Sequence, residues 1–301
     1  MNQPEADRRA RLGIAAGITA YSLWGVLPVY FKLLAGVSAF DIVAHRIIWS
    51  LLVLALLIGF SSGWSKLRSA LAHGPTFRLL LLTATLIAAN WVLYVYAINS
   101  GHILAGSLGY YLNPLANILL GRFLLSERLS RSQWGAVALA GAGVAVLAAG
   151  ALGTLWISLA LCFSFALYGY FRKRIAVDSV TGLAVETILL FPLALGWLAL
   201  GWANGRAIFG STAFDLGLLV GCGIVSTIPL LLFTEAARRL RYSTVGMLQF
   251  IAPTLQFLLA VGVYGEAFTI AHGIAFAAIW TALAIYISSA VRGWRAAPLA
   301  Q

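Results

Sequence analysis

Residues Leu108–Glu127 read LGYYLNPLANILLGRFLLSE, and residues Met247–Glu266 read MLQFIAPTLQFLLAVGVYGE. One offset of 139 sets Tyr111 on Phe250, Pro114 on Pro253 and Glu127 on Glu266. Carried backwards, it sets Tyr94 on Phe233 and Ala97 on Ala236. Near the start of each half, Leu23-Trp24-Gly25 resembles Leu167-Tyr168-Gly169 at an offset of 144. Leu- and Ala-rich helices align easily by chance, but an aromatic–x–x–Pro–x12–Glu pattern held at one offset is more specific than that. The chain therefore reads as two copies of one unit, residues 1–150 and 151–301, with tails at 1–11 and 292–301.

Composition sets what each copy is. Of 301 residues, 61% are hydrophobic and 10% charged, with a mean hydropathy of +0.93. Soluble domains carry roughly 25% charged residues to satisfy water over their surface. Here the apolar residues fall in runs long enough for membrane helices, which need about 20 residues each. The runs predict ten helices, at 12–34, 39–60, 77–99, 103–125, 132–150, 153–174, 181–201, 215–237, 243–265 and 269–291. The fold class is thus an all-α integral membrane protein. The first run is longer than the core of a signal peptide and is followed by no clear small-residue cleavage motif, so it reads as a retained helix.

Orientation follows from Lys and Arg in alternate loops. With the N-terminus in the cytoplasm, one side holds the clusters around Arg8, Lys66, Arg122, Arg172, Arg238 and Arg292, seventeen of the twenty basic residues. The other side holds Lys32 and Arg206, and Arg46 lies within a span. Both termini are expected in the cytoplasm. Five helices per copy is an odd number, so the second copy enters the membrane inverted. Inverted repeats recur in secondary transporters, where two halves exchange conformations around a central site. The net charge of +11 sits in loop clusters suited to an anionic membrane surface, not in a nucleic-acid footprint.

Charged groups within a span cost ~2.5–3.5 kcal/mol each and are functional candidates by default. The second span carries Asp41, His45 and Arg46. Asp41 stands near a helix start, where a solvated cap is the plainer reading. Arg46 lies deeper and needs an anion, a carbonyl or a carboxylate as partner. Glu186, one residue from where the 139 offset sets Arg46, is the carboxylate that the sequence offers. The pair is either a static bridge or a coupling site at which Glu186 binds and releases a proton. His45, Arg46 and Glu186 are therefore the coupling or gating candidates, with Pro114 and Pro253 helping the halves rock.

Asn90, Tyr94 and Ala97 form one helical stripe, and polar groups within a span must find partners or line a wet cavity. Tyr110, Tyr111 and Asn113 precede Pro114, while Gln249 and Gln256 flank Pro253. With Trp24, Tyr168 and Ser226 they define an aromatic and amide-lined chamber for a small amphipathic molecule. The substrate-binding candidates are Trp24, Asn90, Tyr94, Tyr110, Tyr111, Asn113, Tyr168, Ser226 and Gln249. Catalytic signatures do not emerge. GAGVAV at 141–146 follows no strand and reads as helix packing, the four His are scattered, and Cys162 and Cys222 form no CxxC. No enzyme activity, metal or cofactor is expected.

Six stretches carry a family resemblance: AYSLWGVLPVYFKLL (20–34), DIVAHRIIWS (41–50), ANWVLYVYAIN (89–99), SLGYYLNPLANILLG (107–121), SFALYGYFRKRIAV (164–177) and YSTVGMLQFIAPTLQFLLAV (242–261). They resemble the RarD-type permeases of the EamA-containing drug/metabolite transporter superfamily, over about residues 12–290. That resemblance implies ten helices, an inverted repeat, a multi-pass protein of the bacterial inner membrane, and a cavity formed largely by the first, third, fourth, sixth, eighth and ninth helices. It implies export of amino acids and related metabolites or toxic cations, and the RarD branch carries a name linked to chloramphenicol sensitivity. It sets His45, Arg46 and Glu186 on more peripheral helices, which favours gating over substrate contact. The partners are then a small-molecule substrate, the lipid bilayer and, if the transport is coupled, protons. The rival reading is a non-transporting membrane sensor or scaffold that binds a small molecule. Gly135, Gly141 and Gly143 suit packing within or between chains, so the oligomeric state stays open.

Overall fold

The computed structural model describes residues 3–61, 63–100, 102–265 and 269–296. Among the described residues every regular element is a helix. In chain order these are α1 (Gln3–Lys32), α2 (Ala39–Phe60), α3 (Trp64–Ala72), α4 (Gly74–Asn99), α5 (Ile103–Leu124) and α6 (Arg131–Ala148). A 3-10 stretch at Ala149–Thr154 leads to α7 (Leu155–Arg174), α8 (Ser179–Ala203), α9 (Ala213–Arg239), α10 (Tyr242–Gln249), α11 (Ile251–Gly262) and α12 (Ile270–Ala296). Eight segments among the described residues are long and apolar enough to cross a membrane. Glu266, which marks the far end of the sequence repeat, lies outside the described residues.

The ten stretches expected to be helical are helical apart from their ends, and α1 and α12 run on into the tails expected at 1–11 and 292–301. Two further local features depart from the expectation. Residues 64–72, expected as a basic loop, form α3. At roughly 14 Å it is far too short to cross the bilayer. It buries Leu67 and Ala70 and packs on α8, leaving Lys66 and Arg68 exposed. The other departure is a break at Phe250 between α10 and α11. Pro253 has no amide hydrogen for the carbonyl of Gln249 four residues earlier, and α10 ends at Gln249. Pro114 occupies the matching place in the repeat, yet α5 runs on through it.

Local signals fix the helix starts. Ser130 and Gln133 form a reciprocal capping box at α6, and Thr212 and Asp215 form another at α9. Asp178 caps α8 through the backbone amide of Thr181 at 2.9 Å. The start of α10 is capped across the fold: the Glu127 carboxylate accepts from the amides of Tyr242 and Ser243 and from the Ser243 hydroxyl. Ser126, at φ +53°, takes the left-handed conformation that delivers Glu127 there.

Packing pairs the two halves of the chain. Helix α1 packs on α9 as α4 packs on α7; α5 packs on α7 as α11 packs on α1; α2 packs on α9 as α4 packs on α8. The self-matching pairs α2–α8, α5–α10 and α6–α12 also touch. At the last of these, a Cβ on Gly143 would stand 2.9 Å from the Ala275 carbonyl. That glycine does serve helix packing, whereas a Cβ on Gly135 would meet open space.

Candidate functional site

A pocket lies between α2, α4, α8 and α9. Arg46, Ile47 and Ser50 enter it from α2; Ile87 and Trp91 from α4; Leu183, Glu186, Thr187 and Leu190 from α8; Ser226, Thr227 and Leu230 from α9. The set is regular in sequence. Residues 46, 47 and 50 recur at an offset of 140 as 186, 187 and 190, and residues 87 and 91 recur at 139 as 226 and 230. The space open to the centre of a water-sized sphere is about 20 Å³, which holds about one water. A metabolite needs a few hundred Å³, so in this conformation the pocket is too small to hold one.

Arg46 and Glu186 both face this pocket, but they are not the ion pair that the sequence suggested. Glu186, 1% exposed, pairs with Arg172 at 3.6 Å. It also accepts hydrogen bonds from the Thr83 hydroxyl at 2.6 Å and the Tyr168 hydroxyl at 3.2 Å. Arg172 had been counted among the cytoplasmic loop charges; it is 0% exposed, turned inward over Gly182, where a Cβ would lie 1.8 Å from its Nη1. The physical reason is position: Arg172 lies two residues before the end of α7 and can reach back across α8 to a carboxylate that would otherwise be buried alone.

Arg46 has a different environment. Its Nε donates to the Ser226 hydroxyl at 2.8 Å. Its guanidinium stands 5.0 Å from the Trp91 ring and 5.6 Å from the Phe31 ring, within range of cation–π attraction. Among the described residues it makes no ion pair.

The other candidates are spread over several contacts. His45 ties α2 to the loop before α9. Trp49 Nε1 donates to its Nδ1 at 3.1 Å, and since Trp only donates, Nε2 carries the hydrogen given to the Ile208 carbonyl at 2.8 Å. Asp41 is no solvated cap. It receives Arg206 at 3.0 Å and Trp197 at 2.8 Å, pinning the loop before α9. Asn90, 2% exposed, donates to the Leu161 carbonyl and the Ser164 hydroxyl of α7 at 2.9 and 3.0 Å, so its amide is taken up by helix packing. Tyr94 and Tyr110 meet edge to face at 5.5 Å, and Tyr111 packs on Phe276. Trp24 and Tyr168 join Tyr21, Phe165 and Phe233 in an aromatic cluster linking α1, α7 and α9. Gln249 accepts from Asn117 at 2.6 Å. Asn113, 0% exposed, has no hydrogen-bond partner for either amide atom.

Of the residues expected to bind substrate, Ser226 is the one that lines this pocket; of the coupling or gating candidates, Arg46 and Glu186 line it, together with Trp91, Thr187 and Thr227, none of which the sequence singled out. The 140 offset between Arg46 and Glu186, extended to residues 47 and 50, is the signal that finds α8's contribution.

A bundle of long apolar helices with charged and hydroxyl groups enclosed between them defines a multi-pass membrane protein of the transporter class. The EamA-like transporter family model matches residues 11–149. A RarD protein of Salmonella typhi is 45% identical, with 94% of this chain and 97% of that protein covered. A protein of Vibrio cholerae described as an uncharacterized transporter is 45% identical, with 96% of each covered. A solved crystal structure shares the fold at a TM-score of 0.72 and 22% identity, covering 92% of this chain and 97% of its own. The chain belongs to the RarD-type permeases of the EamA-like transporter family, and it is a transporter.

Proposed function

We propose that the protein is a secondary exporter of small amphipathic metabolites (amino acids, aromatic compounds or drugs) in the bacterial inner membrane, working by alternating access. The observation that carries this reading is the pocket itself. It lies between α2, α4, α8 and α9, and five of its lining positions on α2 and α4 have counterparts on α8 and α9 at an offset of 139 or 140. A site built from equivalent helices can open to either side as the halves rock. Helices α5 and α6 complete ten spans in this reading, residues 1–150 and 151–301 are the inverted copies, and both termini lie in the cytoplasm. The exchangeable packing pairs and the basic residues assigned to one side, sixteen once the inward-turned Arg172 is set apart, support it.

Glu186 is the candidate for proton coupling, since both its oxygens are engaged by groups on α4 and α7 that would shift as the pocket opens. The test is flux in proteoliposomes, with and without an imposed pH gradient, over labelled amino acids, aromatic metabolites and chloramphenicol. Saturable movement that responds to the gradient supports a coupled carrier; saturable movement indifferent to it supports facilitated diffusion. No movement from folded protein across the panel removes the exporter reading.

A further inference from the structure

We propose that the pocket between α2, α4, α8 and α9 binds a small organic monocarboxylate with an apolar body, and that Arg46 takes its carboxylate. The inference rests on the exporter reading only in treating this anion as cargo. Three observations carry it.

The pocket's charges do not cancel among themselves. Arg172 and Glu186 neutralise each other, and Thr83 and Tyr168 each donate to one oxygen of the carboxylate. Arg46 is left as an intramembrane cation with no carboxylate partner among the described residues. Such a cation pairs with an anion or with backbone carbonyls, and among the described residues Arg46 bonds to no carbonyl.

The guanidinium is held ready for one. Its Nε is tied to Ser226, and Trp91 and Phe31 flank it. Its two Nη atoms make no hydrogen bond to the described residues. That free edge is the fork that matches a carboxylate with two parallel hydrogen bonds. Thr227 lines the same pocket, and its hydroxyl, on a residue 1% exposed, has no hydrogen-bond partner. A buried hydroxyl left unpaired is costly, and a ligand oxygen would satisfy it.

The walls choose among anions. Ile87, Trp91, Leu183, Leu190 and Leu230 are apolar. They offer a strongly hydrated inorganic anion nothing in exchange for its water, and they suit an apolar or aromatic body. The present space of about 20 Å³ admits no such body, so the helices around the pocket must part as it binds.

The experiment titrates 3-phenylpropionate into the purified full chain in nanodiscs by calorimetry, with uncharged 3-phenylpropionamide and cationic phenethylamine as comparators. The carboxylate should bind saturably, and both comparators at least about tenfold more weakly, as expected for loss of a charge-assisted pair. Arg46→Gln should lose about the same factor, and Arg46→Lys, which keeps charge without the fork, should recover part of it. Thr227→Val loses no protein hydrogen bond, so it should weaken carboxylate binding a few-fold with an unchanged unfolding temperature. If Arg46→Gln does not fold, Thr227→Val and the amide comparison decide. Equal affinity for the amide, wild-type affinity in Arg46→Gln, or no saturable carboxylate binding overturns the proposal. Binding without flux would keep the site and remove the exporter reading. Flux of a panel compound that survives Arg46→Gln, without carboxylate binding, would keep the exporter and remove the site.

Discussion

Replacing Arg172 with methionine tests the central electrostatic argument. The substitution preserves most of the side chain's volume and strands the Glu186 carboxylate, which is 1% exposed. Breaking a buried ion pair from one side costs about 3–5 kcal/mol. Glu186 keeps its hydrogen bonds from Thr83 and Tyr168, which sets the loss near the lower end, about 3 kcal/mol. Glu186→Gln is the harsher change. It strands a guanidinium whose Nε and Nη1 already lack hydrogen bonds and whose Nη2 holds the Ser179 carbonyl alone, and the loss should approach about 5 kcal/mol. Each single variant should lower the unfolding temperature by on the order of 10 °C. The double variant Arg172→Met/Glu186→Gln leaves no buried charge unpaired, so it should recover most of that loss. The assay is thermal unfolding in detergent followed with a thiol-reactive dye, because Cys162 and Cys222 are both free and buried in the folded protein. Additive losses in the double variant would show that the two residues act independently, and the reasoning would fail.

Further predictions follow from single contacts. Asp178→Ala should lower stability by about 1 kcal/mol through loss of the α8 cap. Burial pushes the Asp178 carboxyl up, but the Thr181 hydrogen bonds and the Lys66 and Arg238 charges outweigh it and hold it below the ordinary value of 3.8. The gap from wild type should therefore be full above about pH 4 and close as acid carries the pH down through the depressed value, readable as a narrowing difference in unfolding temperature. Gly143→Val should separate α6 from α12 and cost about 1–3 kcal/mol as an overpacked contact, while Gly135→Ala, facing open space, should be neutral in the same measurement. His45→Ala removes the tie to Ile208 and the Trp49 bond. It should lower the unfolding temperature and leave the pH profile of flux unchanged; an altered profile would restore His45 to a coupling role.

The helices were legible in sequence because a membrane leaves a chain few choices. Backbone groups in hydrocarbon must bond within their own helix, so apolar runs of sufficient length gave the element order directly. Even Phe250, where α10 gives way to α11, lies close to the Pro253 that the sequence marks. Helix α3 was not legible, since nine residues with Lys66 and Arg68 read as loop until Leu67 and Ala70 find α8 to pack on.

The site was legible only in part. The sequence identified Arg46 and Glu186 as charges that must be satisfied, because burying charge in hydrocarbon is costly whatever the packing. It could not say by whom. Arg172 looks like any cytoplasmic arginine until α7 turns it inward over Gly182. Asn90 looks like a cavity group until the Leu161 carbonyl and Ser164 take its amide. Thr227 looks like any helical threonine until α2, α4 and α8 close around it. By itself the sequence determined the helices and the need for partners, since these depend on local hydrophobicity and on residue type. Which partner each polar group found was decided by tertiary structure alone, because it depends on angstrom-scale distances between helices far apart in the chain.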